Sequence, residues 1–362
     1  MLRFLSIAIC LTLLLMSRPS ASAESNAKSW LLEHTRLQAL WYMHYLWGED
    51  ADGPYNRFSI TRGYTTFRFT PTAWFEARST IDLYEDDDGW ALRLKYLYGR
   101  LRWPLETAII SDPGLEFGLV HTPWFDFEGK VNHYRIVDNF FLDRHGLLQS
   151  ADLGLQVSGL IGRKLTKEGN YGMRPHHAGT WGSFALGVYN GSGYKRNEAN
   201  QNKVFMGRLT LRPIGPWMPG LQASYLFVGG KGNVESEPDW LVHDLLLSFE
   251  HPFFLVALQG AKGRGDIAGE RIDSQGQALP FLGASAFVEL KLPCIHTSLF
   301  GQFDWFRWDT ETGHERSDRF VVGAAYYFYR ACAVVIDFDR ERFLEPVAPA
   351  AWSTKLSLQI AL

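Results

Sequence analysis

The sequence lacks the features of several common protein classes. Beyond residue 23 it contains no run of 18 apolar residues, so we expect no membrane-spanning helix. Its formal net charge of −3 gives no basic excess for binding nucleic acid. It has only three cysteines, of which Cys294 and Cys332 could form one disulfide or remain two thiols. No Gly-x-Ser-x-Gly motif occurs, and we predict no catalytic residue, metal site or cofactor.

The N-terminus has the pattern of a secretory signal peptide. Arg3 precedes an apolar run over residues 4–16, and small residues follow at 21–23. An uncleaved anchor helix is the alternative, but a span needs about 20 apolar residues and this run is shorter. We therefore predict cleavage near Ala23, which leaves residues 24–362 as one domain exported from the cytoplasm.

Aromatic residues make up 15% of the chain, and apolar residues recur with a two-residue period. In the final stretch, Leu356, Leu358 and Ile360 alternate with Ser357 and Gln359, and similar segments occur almost everywhere after residue 55. A soluble β-sandwich is the alternative, but here the polar face carries large charged residues and the apolar face carries aromatics at segment ends. With lipid outside and water inside, this pattern predicts an all-β fold, a closed antiparallel transmembrane β-barrel.

About sixteen segments are predicted strands, and 14 or 18 strands are the alternatives. They lie near residues 35–47, 58–70, 73–84, 90–102, 115–123, 150–161, 181–190, 202–213, 220–229, 240–250, 253–263, 281–292, 295–307, 318–329, 331–340 and 352–362, and the first could be partly helical. Short turns alternate with long polar connections, among them 48–56, 309–318 and 340–350. The stretches 103–114 and 162–180 are long where short turns are expected, which leaves the strand number open.

Three segments resemble the porin family typified by the phosphate-selective porins O and P. "LEFGLVHTPWFDFE" (115–128) resembles a Gly-x-x-x-x-Pro-aromatic segment of that family, and "SADLGLQVSG" (150–159) resembles the strand after its third loop. Residues 182–213 are similar to a strand ending in Asn-Gly, an Asn-rich loop and a strand carrying Arg before Pro. The likeness covers about 58–230. Leu362 departs from it, since such barrels usually end in Phe.

The resemblance implies a 16-stranded outer-membrane channel, usually a homotrimer, with residues 124–148 folded inward after strand five as the constriction loop. Independently of the resemblance, strand alternation points a set of Arg and Lys side chains into the lumen. Among the inward-pointing residues of strands ten to fifteen, acidic side chains dominate. The pore-lining or constriction candidates are Arg62, Arg68, Arg78, Arg93, Lys95, Lys130, His133, Arg135, Asp138, Arg144, Arg208 and Arg212, and Lys355 also points inward.

These observations favour a Gram-negative outer-membrane porin for passive diffusion of small polar solutes or ions. A preference for anions or phosphate stays open, because phosphate selectivity needs several converging Arg or Lys side chains. The expected partners are outer-membrane lipid, small polar or anionic solutes, further copies of the chain in a homotrimer, and the barrel-assembly machinery. The alternatives are a plugged barrel that acts in surface binding or adhesion, and a hydrolase embedded in the barrel.

Overall fold

The chain forms one closed barrel of sixteen antiparallel strands, which confirms the predicted fold class and strand number. The computed structural model describes residues 29–86, 89–165 and 178–362, so the predicted signal peptide lies outside the described residues. After a helix over residues 29–34 (α1), the strands are β1 (Thr35–Asp50), β2 (Gly53–Thr72), β3 (Phe75–Asp86), β4 (Gly89–Arg102), β5 (Ile110–His121), β6 (Ala151–Ile161), β7 (Gly182–Tyr189), β8 (Val204–Leu211), β9 (Leu221–Lys231), β10 (Asp239–Glu250), β11 (Phe254–Arg264), β12 (Pro280–Leu292), β13 (Thr297–Thr310), β14 (Gly313–Tyr329), β15 (Cys332–Glu345) and β16 (Val347–Ala361). None of the helices in these described ranges is long and apolar enough to cross a membrane.

The barrel closes where the last strand pairs with the first. Leu40 of β1 faces Ala361 of β16, and the backbones of Ala39 and Leu362 exchange two hydrogen bonds of 3.0 Å. Each of the other strands pairs with its two sequence neighbours. Closure pairs the backbone groups that a sheet edge would leave open, which is the arrangement that lipid requires. We call the end that holds Ala39 and Leu362 the terminal end, and the opposite end the loop end.

Side chains alternate between an exposed outer face and an enclosed inner face. In β16, Lys355 and Ser357 are buried inside the barrel, whereas Leu356 is exposed on the outer face. In β13, Asp304 is buried inside and Phe303 is exposed outside. The two-residue period of the sequence therefore separates charge from apolar surface as predicted.

Several stretches predicted as long polar loops are strands. β1 and β2 stay paired to Asp50 opposite Gly53, and β13 and β14 stay paired to Thr310 opposite Gly313. These hairpins continue past the apolar part of the strands, and their polar side chains resemble those of loops. At the other end β5 begins at Ile110, five residues before the predicted start, so the stretch 103–114 is partly strand.

The longest described connection folds into the barrel, as predicted. The inner loop, residues 122–150, contains α2 (Phe125–Val131) and α3 (Phe141–Arg144). Its apolar side chains are buried against the inside of the wall. They are Trp124, Phe125, Phe127, Phe141, Leu142, Leu147 and Leu148. The apolar core of this protein thus lies inside the barrel, beneath the inner loop.

Both described cysteines are free thiols, which decides between the two alternatives left open by the sequence. Cys294 is exposed in the turn Pro293–Ile295, and Cys332 is buried at the start of β15. The Cys332 Sγ atom accepts a hydrogen bond from the Ala361 N–H at 3.4 Å. Cys332 therefore packs where the last strand closes the sheet.

Candidate pore constriction

The inner loop crosses the lumen because its two halves are held by different parts of the wall. Near its start, Arg208 of β8 donates to the Pro123 carbonyl at 2.9 Å and lies 4.5 Å from the centre of the Phe127 ring. At its tip, Arg62 of β2 donates to the Arg135 carbonyl at 2.7 Å. The loop therefore leaves β5, passes β8 and reaches the wall again at β2.

Ion pairs fix the tip of the inner loop to strands β13 and β14. Asp138 lies 2.5 Å from Arg319 of β14 and 3.6 Å from Arg144 of the loop. Arg144 also pairs with Asp304 of β13. Because each charge of this cluster has an opposite partner, burial of the loop leaves none of the four uncompensated.

The electrostatic surroundings keep Asp138 ionised. Burial alone would raise the pKa of this carboxyl, but the positive charges of Arg319, Arg144 and Lys355 outweigh it and hold the pKa well below the usual range. Lys355 of β16 also donates to the Val137 carbonyl at 2.5 Å. The tip is thus held by charge as well as by backbone hydrogen bonds.

The back of the inner loop packs on the wall and fills one side of the lumen. The His145 ring stacks on Phe306 of β13 with centroids 3.8 Å apart, and the Trp240 indole N–H of β10 donates to the Leu147 carbonyl at 3.0 Å. Burial and the nearby Arg144 charge lower the pKa of His145, which favours its neutral form. Open space therefore remains on the other side, between the inner loop and strands β1–β4.

Cations on β3 and β4 lie beside this space. Lys95 is almost fully buried and donates to the Tyr64 hydroxyl at 2.7 Å. The Arg78 guanidinium carbon lies 4.4 Å from the Tyr96 ring centre, and its Nη1 atom is 2.9 Å from His121 Nε2. Contact with aromatic rings holds these side chains in place.

A β-bulge concentrates side chains at this level. Thr80 of β3 faces Tyr96 while Ile81 faces Leu94, so Lys95 is an extra residue in β4. Lys95 and Tyr96 are consecutive, and both are buried inside the barrel. Bulges re-aim side chains in this way and are frequent next to functional sites.

Two cavities lie on either side of the bulge. The loop-end cavity has a volume of about 270 Å³ and includes Arg93 of β4 in its lining. The terminal-end cavity has a volume of about 850 Å³ and includes Tyr98 of the same strand. Lys95 and Tyr96 come between these residues along β4 and line neither cavity. The side chains at this level therefore separate the two cavities.

A second loop reaches the same level from the loop end. Tyr194 belongs to the connection between β7 and β8, and its ring centre lies 4.8 Å from Lys95 Nζ and 5.1 Å from the Arg93 guanidinium carbon. The next residue, Lys195, lines the loop-end cavity. Burial lowers the pKa of Lys195 and raises that of Tyr194, which favours the uncharged phenol.

The charges that line the loop-end cavity are unequal. Five cations line it, namely Arg62, Arg93, Arg135, Lys195 and Lys355, against the two acids Asp138 and Asp143. Behind the lining, Arg93 pairs with Asp82 at 2.7 Å and Lys355 lies 3.3 Å from Asp337. Asp143 is itself paired with Arg135 at 2.8 Å. Of the acidic residues predicted for β10–β15, Asp304 pairs with Arg144, whereas Glu289 accepts a hydrogen bond from Tyr134 and lines a cavity of about 760 Å³ at the terminal end.

Other sequence-predicted residues lie towards the terminal end. Arg68 pairs with Glu76 at 2.7 Å and lines the terminal-end cavity. Lys130 lines both that cavity and a neighbouring one of about 760 Å³. His133 borders the neighbouring cavity and lies 3.7 Å from Glu289. These side chains surround the mouth at the terminal end and lie away from the level of the bulge.

Arg208 and Arg212 line neither the loop-end nor the terminal-end cavity. Arg212 donates to the Pro219 carbonyl at 3.0 Å and to the Gly179 carbonyl at 2.9 Å, which fixes turns at the terminal end. Arg208 instead supports the inner loop from behind, as described above. Both point inward as predicted, but the structure places them in supporting contacts.

Sequence reasoning missed three residues of the site. Arg319 could have been found, because the exposed apolar residues Phe320 and Val322 set the phase of β14 and turn Arg319 inward. Tyr96 could not have been found from the alternation, because only the bulge in β4 turns two consecutive residues inward. Tyr194 lies in a polar loop, and the sequence carries no signal that this ring folds back onto β4.

The comparisons with known proteins show the fold. No family model and no curated protein matches the sequence. The structure resembles an anion-selective porin from Comamonas acidovorans, with 9% identity, a TM-score of 0.61 and coverage of 91% of this chain and 99% of that chain. It also resembles OmpF of Salmonella typhi in complex with daunomycin (8% identity, TM-score 0.63, 91% and 97% covered). The trimer form of OmpT, an outer membrane protein of Vibrio cholerae, is similar as well (11%, TM-score 0.56, 91% and 99%). The chain therefore has the fold of an outer-membrane porin, whereas its place in the phosphate-selective family stays a prediction.

Proposed function

We propose that the chain is an outer-membrane porin, a water-filled channel for passive diffusion of small polar solutes, with a preference for anions. The observation that carries the proposal is the charge of the loop-end cavity, where five cations face two acids. Low-dielectric walls focus such a field and raise the local concentration of ions of opposite sign.

The preference is for anions in general rather than for phosphate. Stripping water from phosphate needs several guanidinium donors that are free to bind it. Here Arg62 donates to the Arg135 carbonyl and to Asn139, and Arg93 donates to Asp82 at 2.8 Å. Because the protein itself uses these donors, the cations act through their field more than through direct coordination.

Further features support placement in an outer membrane. The outer face of the strands is apolar, and Trp47 and Trp352 lie 5.5 Å apart near its loop end, as an aromatic girdle would. Export by a signal peptide, insertion by the barrel-assembly machinery and a homotrimer with the terminal end in the periplasm complete the proposal. One of the similar structures, that of OmpT from Vibrio cholerae, is a trimer form.

Planar-bilayer recording tests the proposal. The purified protein should insert in discrete conductance steps that remain open at low voltage. A silent barrel that binds a surface ligand would favour the adhesion alternative, and turnover of lipid or peptide substrates would favour the hydrolase alternative. Either outcome would overturn the channel proposal.

A further inference from the structure

The outer face of β13–β15 carries an unusual group of charges near the loop end. Arg307 of β13 faces Arg316 of β14, and Asp318 of β14 faces Arg342 of β15. Arg340 faces Phe320, which is exposed on the outer surface. Residues opposite each other on adjacent strands point to the same side, so these charges point away from the lumen. Elsewhere these strands present apolar side chains to the outside.

A groove lies among these side chains. It has a volume of about 270 Å³, an apolar floor formed by Phe303, Phe320 and Phe338, and a polar rim formed by Asp318, Arg340 and Arg342. The three phenylalanines are exposed on the outer face. The groove thus joins a surface that suits a hydrocarbon chain to a surface that suits an anion.

The carboxylates of this face leave positive charge unbalanced. Arg342 pairs with Asp318 at 3.0 Å, and Arg316 lies 3.9 Å from the same carboxylate. Arg307 pairs with Asp309 at 2.9 Å. Among the residues that the structure describes, Arg340 makes no hydrogen bond or ion pair, although it lies at the rim of the groove. With Glu345 opposite Arg316, three carboxylates stand against four guanidinium groups.

The height of the groove matches the boundary between hydrocarbon and headgroups. Trp305 faces Asp318 in the sheet, and Trp352 faces Arg340. Tryptophan favours this boundary because its ring is apolar and its N–H is polar. The phenylalanine floor then lies on the hydrocarbon side, and the arginines lie at the level where lipid phosphates occur. A guanidinium group donates two parallel hydrogen bonds to a phosphate, so Arg340 and Arg342 suit such a headgroup.

We infer that this groove binds one lipid with an anionic phosphate headgroup. The phosphate contacts Arg340 and Arg342, and one acyl chain lies along Phe303, Phe320 and Phe338. The lipid supplies the missing counter-charge and covers the apolar floor in one step. The inference depends on membrane placement in the proposed function and is independent of ion conduction.

Native mass spectrometry of the full-length protein in detergent tests the inference, with phosphatidylglycerol as the probe. The wild type should retain one tightly bound lipid, and Arg340→Gln/Arg342→Gln should retain it about tenfold more weakly. The matched control is Lys262→Gln/Arg264→Gln, which removes two exposed cations near the loop end of β11 and should retain the lipid like the wild type. Arg340→Lys keeps the charge but loses the two-pronged donor and should fall between.

Further measurements distinguish a phosphate-specific lipid site from a general apolar groove and from a subunit interface. A galactosyl diacylglycerol without phosphate should not be retained, and inorganic phosphate at millimolar concentration should not displace the lipid, because it lacks the acyl chain. Equal retention of the phosphate-free lipid, or equal retention by the double variant and the wild type, would overturn the inference. Loss of the oligomer in the double variant would also overturn it, since the face would then be a subunit interface.

Unchanged single-channel conductance of the double variant shows that this variant has folded. A wild-type protein that gives no current would refute the channel function but would leave the lipid-binding result intact.

Discussion

Lys95 Nζ and the Tyr64 hydroxyl lie 2.7 Å apart at the level between the two cavities, where strands β2 and β4 face the inner loop. The amino group is buried, and the rings of Tyr64, Tyr96 and Tyr194 all lie within 6 Å of it. Lys95 thus places its amino group between the two cavities.

Removing this amino group should weaken the preference for anions. Lys95→Met keeps the length of the side chain and removes the amino group, so the potential between the two cavities becomes less positive. The reversal potential in a salt gradient should shift towards that of a neutral pore. Lys262→Met, a matched change on the outer face, should leave the reversal potential unchanged, and an equal shift in both variants would contradict the role given to Lys95.

Shortening Tyr194 should widen the passage. Its ring lies over Lys95 and Arg93, and no part of the strand framework depends on it. Tyr194→Ala should raise single-channel conductance roughly twofold, since conductance increases with the cross-section of the narrowest part. The change is read from the size of the insertion steps in a planar bilayer. Tyr329→Ala, at an exposed position on β14 near the terminal end, serves as the control, and the same increase there would count against a constriction at Tyr194.

Releasing the tip of the inner loop should destabilise the barrel and make its current noisy. Asp138→Asn removes the negative charge shared by Arg319 and Arg144, while Arg319 retains Asp339 as a partner. Because the Asp138 side chain is about one-third exposed, we expect a loss of about 1–2 kcal/mol in the free energy of unfolding, less than for a fully buried pair. Thermal unfolding monitored by gel mobility, together with open-channel noise, measures both effects.

The ion pairs of Asp138 also predict how the stability of the protein depends on pH. The pKa of Asp138 is lower in the folded protein than in the unfolded chain, so its stabilisation is present above the usual carboxyl pKa of about 4. It is lost as the pH falls from there through the folded pKa. The difference in midpoint temperature between wild type and Asp138→Asn should therefore shrink on acidification below about pH 4. A difference that stays constant down to about pH 2 would contradict this assignment.

The Glu128 carboxyl predicts a pH dependence of stability in the opposite direction. Burial, with Asp244 nearby, raises the pKa of the Glu128 carboxyl well above its usual value, so the folded protein favours the protonated form. The associated stabilisation is complete below the unfolded pKa of about 4 and declines as the pH rises through the folded pKa. Glu128→Gln should remove that decline, so its advantage over the wild type should grow between about pH 5 and pH 8. Parallel unfolding curves at the two pH values would show that the Glu128 carboxyl is ionised in the fold.

Local alternation was sufficient to predict the strands, because each membrane-facing segment must separate apolar from polar side chains along its own length. Thus Lys355 and Leu356 could be assigned to opposite faces from the sequence. The partners of Asp138 could not be predicted from the sequence. Arg319 lies 181 positions away, and the contact depends on how the inner loop crosses the lumen. The pairing of Asp304 with Arg144 was likewise not predictable from alternation, because Arg144 belongs to the inner loop.

The reversal potential of the wild-type channel in a KCl gradient tests the central claim most directly. Because five cations and two acids line the loop-end cavity, we predict a sign that shows greater permeability to chloride than to potassium. The preference should weaken as the salt concentration rises, because the Debye length falls to about 3 Å at 1 M salt. A reversal potential of the opposite sign would contradict the account.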